Sequence, residues 1–134
     1  MIRPRELRIG NLVKCVRHLP IGFHAPALSY SEIVEIREGS LELNEGVYKY
    51  RTISALKLTE QILLNSGGVK GDDEQIRFET HKSHYPVLTL IHEGGFYYLS
   101  DGNNNKLGVH FDSVHHFQNL YYTLVGSEVA IKII

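Results

Sequence analysis

The sequence holds one cysteine, no tryptophan and no long apolar run, and these absences exclude several classes of protein. The single cysteine, Cys15, excludes an internal disulfide and a zinc site built from several cysteines. Cys15 lies in an alternating apolar segment, so we expect it to be buried in a strand. No segment approaches the roughly 18 apolar residues of a transmembrane helix, and the first residues lack the apolar core of a secretory signal. We therefore expect a soluble protein of the cytoplasm.

Neither sign of charge is in excess. The 134-residue chain carries 14 Lys and Arg against 15 Asp and Glu, a net charge of -1. This balance excludes a strongly basic nucleic-acid binder, although it permits a local basic patch. With 43% hydrophobic and 22% charged residues, the composition is that of a folded globular protein. The length predicts one domain over residues 1–134; a division into a β-rich unit, 1–57, and a second unit, 58–134, is the alternative.

Short alternating segments predict a mainly antiparallel sheet system. In the first half they are bounded by Gly, Asn and Pro turns and favour a meander or a small barrel-like unit, with strands at 12–17, 33–36, 41–43 and 47–51. In the second half the predicted strands are 76–79, 87–92, 96–100, 107–111 and a closing strand at 129–133. The segment 87–92 is apolar on both faces, which predicts a central strand.

Two helices complete the predicted α+β fold. Thr59 is a good N-cap and Gly67 a good C-terminal stop for a short middle helix. Asp112 or Ser113 can cap a longer C-terminal helix that runs to Val125 and ends at Gly126. Its predicted core face follows the i, i+3, i+4, i+7 rule and consists of Val114, Phe117, Leu120, Tyr121 and Leu124.

Most of the eight histidines lie in the second half of the chain, but their spacing does not complete a metal site. His81 and His84 have a spacing found in metal sites, yet no cysteine or nearby carboxylate supplies the third and fourth ligands. His115 and His116 are adjacent on a predicted helix, so we expect their side chains to point about 100° apart and not to share an ion. We therefore expect no bound metal and no cofactor.

The segment 101–112 partly matches a calcium-binding loop through Asp101, Asn103, Asn105 and Asp112. The sixth position, where such loops require glycine, is Lys106, and the final glutamate is replaced by aspartate. An Asn-rich hairpin between two strands is the favoured interpretation.

Sequence motifs of catalysis are missing. The chain has no phosphate-binding glycine-rich loop, no dinucleotide fingerprint, no G-x-S-x-G and no H-E-x-x-H. We therefore name no catalytic residue and expect a protein that is not an enzyme.

The predicted C-terminal helix also has a polar side, on which amides and histidines lie beside two tyrosines. Gln and Asn are unfavourable inside a helix compared with Lys or Glu, which indicates specific hydrogen bonds. These bonds either fix the helix to neighbouring backbone or receive a partner, for which Tyr is well suited. The candidate binding residues are His115, Gln118, Asn119, Tyr121 and Tyr122.

Three segments resemble a family of small uncharacterised proteins encoded by Bacteroidetes and their phages and other mobile elements. They are ELRIGN at 6–11, a second segment that runs from Ile53 through LTEQILL at 58–64 to Gly67, and VHHFQNLYYTLVGSE at 114–128. The second segment departs from the family pattern, which has prolines at Ala55 and Lys57 and an aromatic residue at Gly68. The resemblance implies a shared fold and a phage or mobile-element background, but no activity and no catalytic residue.

The leading hypothesis is a non-enzymatic binding or accessory module whose partner is another protein. The first alternative is nucleic-acid contact through the basic N-terminal segment, in which Arg3, Arg5, Arg8, Lys14 and Arg17 are accompanied by a single acidic residue, Glu6. The second alternative is a metal-dependent hydrolase that uses His81, His84 and a distant carboxylate. We expect no membrane partner.

Overall fold

A computed structural model describes residues 2–17, 27–44 and 46–134, which divide into two compact units, Met1–Leu56 and Lys57–Ile134. Each unit is built on a five-stranded antiparallel sheet, and the second also contains two helices. The predicted α+β class is therefore confirmed. Three sequence features lie outside the described residues: His18, the segment with Pro20, Gly22 and Pro26, and Glu45 in the turn before the fourth strand.

The first unit is an open sheet. Its strands are β1 (Leu12–Arg17), β2 (Ala27–Arg37), β3 (Ser40–Leu43), β4 (Gly46–Lys49) and β5 (Ile53–Ala55), and 3-10 turns lie at Pro4–Glu6 and Tyr50–Thr52. The strand order is β4-β3-β2-β1-β5. Within the described residues β4 and β5 are the edges and do not pair, so the expected barrel-like unit does not close. The predicted fourth strand is shorter than expected because Tyr50 and the next two residues form a 3-10 turn.

The core of the first unit lies on one face of this sheet. Alternation along the strands buries Val13, Cys15, Ile33, Leu41, Leu43 and Ile53, and Ile2 and Leu7 join this cluster from the segment before β1. Tyr48 and Tyr50 pack against it. Cys15 is 1% exposed, so its predicted burial in a strand is confirmed.

The second unit contains an antiparallel meander. Its strands are β6 (Val69–Lys70), β7 (Ile76–Glu79), β8 (Val87–Glu93), β9 (Phe96–Ser100) and β10 (Lys106–Phe111), in the order β10-β9-β8-β7-β6. The central position predicted for residues 87–92 is confirmed, since β8 is the third strand. The β8–β9 turn is formed by Gly94 and Gly95, both with positive φ (63° and 85°), as a tight hairpin requires.

Both helices begin and end where capping chemistry predicts. Helix α1 (Glu60–Asn65) begins after Thr59, whose Oγ1 accepts a hydrogen bond from the Ile62 amide. Helix α2 (Val114–Val125) begins after Ser113, which accepts from the His116 amide, and ends at Gly126 in the left-handed conformation. These contacts satisfy helix-end groups that would otherwise lack partners.

Helix α2 packs on one face of the second sheet, here called the inner face, through aromatic rings. Phe117 contacts Phe78 and Phe111, at centroid distances of 5.2 and 6.2 Å, and Tyr121 contacts Phe78 edge-on at 6.4 Å. Gly68 lies against the same face, because a Cβ there would be 2.7 Å from Cγ2 of Ile76 and 2.9 Å from Cζ of Phe78. The aromatic residue that the resembling family carries at this position would therefore need different local packing.

Two sequence predictions for this unit are wrong. Residues 129–133 form no strand; the segment instead lies near the end of α1, where the Lys132 amide donates to Ser66 Oγ at 2.9 Å. Leu120 and Leu124 are half-buried, whereas His115, Gln118 and Val125 are buried on α2. The predicted strand at 107–111 is confirmed as β10, in which Leu107 and Val109 are exposed because β10 is an edge strand whose register shifts between Lys106 and His110.

Among the described residues, no helix has both the length and the apolar character needed to cross a membrane.

Candidate functional site

The opposite face of the second sheet, here called the outer face, carries polar and aromatic side chains, of which Thr89 and Ser100 are buried and Phe96 and His110 are exposed. Strand pairing places Arg77, Thr89, Ser100 and Lys106 in one transverse row across β7–β10. The next row contains Ile91, Tyr98 and His110, and Glu93 pairs with Phe96 beyond it. Since successive residues of a strand point to opposite faces, these side chains lie on the face opposite to Phe78, Tyr97 and Phe111.

Three aromatic side chains form a connected group on the outer face, which we call the aromatic patch: Phe96, Tyr98 and His110. The Phe96 and His110 rings meet edge to face at 5.1 Å, and the Tyr98 and His110 rings lie 5.7 Å apart. Phe96 is 39% exposed, His110 is exposed and Tyr98 is half-buried. The patch therefore presents preformed aromatic surface at the β9–β10 edge of the sheet.

The two cations of this face already have anionic partners. Lys106 Nζ pairs with Glu93 and lies 4.8 Å from the centre of the Tyr98 ring. The Arg77 guanidinium binds both carboxylate oxygens of Asp73, with Nη1 to Oδ1 at 3.1 Å. This bidentate contact holds the pKa of the Asp73 carboxyl far below its usual range. The charges of Arg77 and Lys106 are therefore both compensated.

A cleft of about 480 Å³, here called the loop cleft, opens on the same face between residues 80–86 and 101–105. The hydroxyl-bearing residues Thr89 and Ser100 line it from the sheet. The remaining lining residues are Arg77, His84, Tyr85, Pro86, Val87, Asp101, Gly102 and Leu107. It thus joins apolar walls to a few charged groups, as ligand-binding clefts do.

The first wall of the loop cleft is fixed by Thr80. This side chain is buried, and its Oγ1 donates to the Tyr85 carbonyl while accepting from the Lys82 amide. The Thr80 amide donates to the Pro86 carbonyl at 3.0 Å. The hydrogen bonds close residues 80–86 into a compact loop and hold Tyr85 and Pro86 at the cleft.

The second wall is fixed by Asp101 and Gln75. Asp101 Oδ1 accepts from the amides of Asn103 and Asn105, and its Oδ2 accepts from Asn105 Nδ2 at 2.8 Å. Gln75, 3% exposed, donates to Asn104 and accepts from Ser100 Oγ. The favoured interpretation of 101–105 as a hairpin connection is confirmed, with the Asp101 carboxylate shaping the turn.

These hydrogen bonds also set the charge of Asp101. Hydrogen bonds donated by the Asn105 side chain, which has the larger effect, and by the Asn103 amide keep the pKa of the Asp101 carboxyl below its usual range. The cleft therefore keeps a negative charge at one end at neutral pH.

His81 and His84 are not brought to one site. His84 lines the loop cleft, whereas His81, with a positive φ of 58°, lines a second cleft of about 630 Å³ beside Glu79. Among the described residues, neither belongs to a converging group of three or more metal-binding side chains. The metal-dependent hydrolase hypothesis gains no geometric support from this pair.

The candidate binding residues of α2 differ in accessibility. His115 and Gln118 are 1% and 4% exposed, and Tyr121 is buried by its aromatic contacts. Asn119 is half-buried, and Tyr122 is 45% exposed. Tyr122, with part of Asn119, is therefore the accessible portion of this set.

The two adjacent imidazoles of α2 lie closer than the sequence predicted. The rings of His115 and His116 have centroids 4.3 Å apart and planes inclined by 50°. The expectation that their side chains diverge is wrong, because side-chain rotation offsets the angular step along the helix.

The basic N-terminal segment is only partly displayed. Arg3 and Arg5 are exposed beside the first 3-10 turn, whereas Arg8 and Lys14 are half-buried. Arg8 donates to the Ile9 carbonyl, and the side chain of Arg17 lies outside the described set. Two exposed arginines make a smaller basic surface than the five residues predicted from sequence.

The outer-face site was missed by sequence reasoning, although one pattern could have indicated it. Alternation over 96–100 places Phe96 and Tyr98 on one face and Tyr97 and Leu99 on the other. Aromatic residues on both faces of a strand indicate that each face packs against another element or a partner. In this fold helix α2 packs on the inner face only. The loop cleft depends on strand register and could not be predicted from spacing.

Comparison of the chain with protein-family models, with curated proteins and with solved structures found no match.

Proposed function

We propose that this chain is a non-enzymatic binding module of phage or mobile-element origin whose partner is another protein. The observation that carries the proposal is the aromatic patch, which lies exposed on the face of the second sheet opposite to α2. Aromatic side chains are enriched at protein–protein interfaces, where they bury large area at low cost in conformational entropy.

The surroundings of the patch match the organisation of such interfaces. Leu107, which lines the loop cleft, adds apolar surface along β10, since it is 41% exposed. The Lys106–Glu93 and Arg77–Asp73 pairs place charged groups on the same face. An apolar centre with a polar rim is the common arrangement in protein complexes.

Charge favours a protein partner over nucleic acid on this face. A phosphate backbone gains affinity by releasing counterions when lysines and arginines neutralise it. Here Arg77 and Lys106 are already paired with carboxylates, which a phosphate would have to displace. A neutral polypeptide surface meets no such competition.

The experiment is quantitative affinity capture from a lysate of a source cell, comparing wild type with the double variant Phe96→Ser/His110→Ala. The proposal predicts a protein that is enriched on wild type and lost on the double variant. Both changed side chains are exposed, so circular dichroism should show an unaltered fold.

The matched control is Tyr122→Ser, which removes an aromatic residue of similar exposure from α2 instead of the outer face. Capture should survive this change. If Tyr122→Ser abolishes capture while the double variant retains it, the partner binds the polar side of α2 instead of the outer face. Capture unchanged by both variants would overturn the proposed surface.

Nucleic-acid binding through the N-terminal segment is kept as the second candidate because Arg3 and Arg5 are exposed. It predicts that affinity for a short DNA duplex falls steeply as salt rises and that Arg3→Gln/Arg5→Gln removes this dependence. Absence of binding at low salt would discard it.

A further inference from the structure

We infer that the loop cleft binds a short peptide segment of the partner protein, with one apolar side chain between the two loops and a lysine or arginine beside it facing Asp101. This inference rests on the proposed function, because it names the part of a protein partner that enters the cleft. Four observations support it.

The first observation is the size of the cleft. Its volume of about 480 Å³ falls within the range of roughly 300–1,000 Å³ that encloses small ligands. A few residues of an extended peptide have this size. The cleft is thus a recess for part of a partner, beside the flatter surface of the aromatic patch.

The second observation is that both walls are organised by buried polar side chains. Thr80 and Gln75 are 6% and 3% exposed, and each ties a surface loop through side-chain hydrogen bonds. Burial of polar groups is unfavourable unless they are fully bonded. A prearranged cleft loses little conformational entropy when it binds, which favours affinity.

The third observation is the chemistry of the lining. Pro86, Val87 and Leu107 supply apolar contacts, and the ring of Tyr85 supplies a fourth. Thr89, which is 5% exposed, adds a hydroxyl-bearing side chain to the lining. This combination suits an apolar side chain together with the backbone that carries it.

The fourth observation is the charge. Because Arg77 is neutralised by Asp73, the Asp101 carboxylate leaves the lining with a negative balance. A carboxylate offers about four acceptor positions, and the turn occupies three of those on Asp101. Asp101 can therefore still attract a cation, whereas a phosphate or an acidic peptide would be repelled.

The cleft and the aromatic patch are continuous along one strand. Leu107 lines the cleft and His110 belongs to the patch, and both lie on β10. One polypeptide partner can therefore reach both, with its surface on the patch and a segment in the cleft.

The experiment is selection of a displayed library of random short peptides on the immobilised full chain, with counter-selection on the Leu107→Ser variant. We expect a consensus that joins one aliphatic or aromatic residue to a neighbouring Lys or Arg. The synthesised consensus peptide should bind wild type about tenfold more tightly than Leu107→Ser, since losing a buried apolar contact of this size costs about that factor. Val109→Ser, which removes an exposed apolar residue of the same strand outside the cleft lining, is the matched control and should change affinity less than about twofold.

The charge contact is tested with Asp101→Asn, for which Asp112→Asn is the control because Asp112 is an exposed acid outside the cleft lining. Asp101→Asn should weaken the peptide about fivefold at low salt, and less at high salt. Replacing the basic residue of the peptide with Gln should weaken binding to wild type but not to Asp101→Asn. This double-variant cycle separates a direct contact from a disturbed turn.

Several results would overturn the inference: no enriched consensus, a consensus rich in Asp and Glu, equal effects of Leu107→Ser and Val109→Ser, or binding of a labelled single-stranded oligonucleotide in place of peptides. Its failure is distinguishable from that of the proposed function. If no peptide is selected but capture from lysate depends on Phe96 and His110, the cleft inference alone fails. If cleft-dependent peptides are selected but capture does not depend on Phe96 and His110, the proposed docking role of the aromatic patch is wrong. The inference that the cleft binds a peptide then still holds.

Discussion

Both faces of the second sheet carry contacting aromatic side chains, but these are buried on the inner face and exposed on the outer face. On the inner face, Phe78 and Phe111 are buried, and both contact Phe117 of helix α2. On the outer face, Phe96 and His110 also make ring contacts, but they remain exposed. Aromatic content alone therefore does not distinguish core from recognition surface; the presence of a covering element does.

A corresponding difference separates how the two faces are ordered. The inner face is held by close apolar packing, and the neighbours of Gly68 leave no space for a side chain at this position. The outer face is bordered by loops that are held by hydrogen bonds to the side chains of Thr80, Gln75 and Asp101. The inner face should therefore determine stability, and the outer face should determine binding. The following changes test this division in order of decreasing effect.

The largest effect is expected from Phe117→Ala. Phe117 is fully buried between two rings of the sheet, so its truncation should lower the free energy of unfolding by about 3–5 kcal/mol. Phe96→Ala is the matched change on the outer face and should cost less than about 1 kcal/mol. Urea denaturation followed by circular dichroism measures both, and similar losses for the two variants would break the comparison.

The neighbouring tyrosines of α2 sharpen the comparison within one helix. Tyr121 packs against Phe78 and Phe117, whereas Tyr122 is 45% exposed. Tyr121→Ala should lower the free energy of unfolding by about 3 kcal/mol, and Tyr122→Ala by less than about 1 kcal/mol. Urea denaturation measures the free energy of unfolding of both variants. A larger decrease for Tyr122→Ala than for Tyr121→Ala would mean that the buried and exposed faces of α2 are wrongly assigned.

A smaller effect is expected from Gly68→Ala. The added methyl group would approach Ile76 and Phe78 within 3.0 Å and the Leu63 carbonyl oxygen within 2.9 Å. Such overpacking should cost about 1–3 kcal/mol. Gly102→Ala is not a suitable control because its φ is positive, but Gly108→Ala is, since a methyl group there meets nothing within 4 Å. An unchanged melting temperature for Gly68→Ala would show that the inner face is looser than described.

Gln75→Ala tests the order of the outer-face loops. The change removes a buried amide that bonds Asn104 and Ser100 and should cost about 1–3 kcal/mol. Its more specific effect should be faster hydrogen exchange of the 101–105 amides, with α2 unaffected. Exchange in that loop that matches wild type would mean that Gln75 does not order the cleft wall.

The smallest effect concerns pH. Since the pKa of Asp101 is lowered by folding, its carboxylate stabilises the folded state above the usual pKa of about 3.9, and this contribution is lost as pH falls through the lower folded value. The difference in melting temperature between wild type and Asp101→Asn should therefore shrink between roughly pH 5 and pH 2. A difference that stays constant over this range would contradict the assigned hydrogen bonds.

The sequence predicted those parts of the fold that local chemistry decides. Thr59, Ser113 and Gly126 act as helix-end residues, because capping depends on the next few residues along the chain. The central strand β8 could be predicted equally well, because a strand that is buried on both faces does not alternate polar with apolar residues.

Features that depend on pairing between distant segments were not predictable. Residues 129–133 alternate like a strand but find no strand partner and lie beside α1 instead. Leu107 and Val109 also alternate, yet an edge position and a shifted register leave them exposed. The loop cleft requires Arg77, Thr89 and Ser100 to share one row, and their separation in sequence carries no information about that register.

The most direct test of the account is hydrogen exchange of the full chain with and without its captured partner. If the outer face of the second sheet is the docking surface, added protection should appear at 96–111, which includes the loop at 101–105, and in the loop at 80–86. Exchange in α2 should not change. Protection confined to 114–125, with none on β9 or β10, would contradict the central claim.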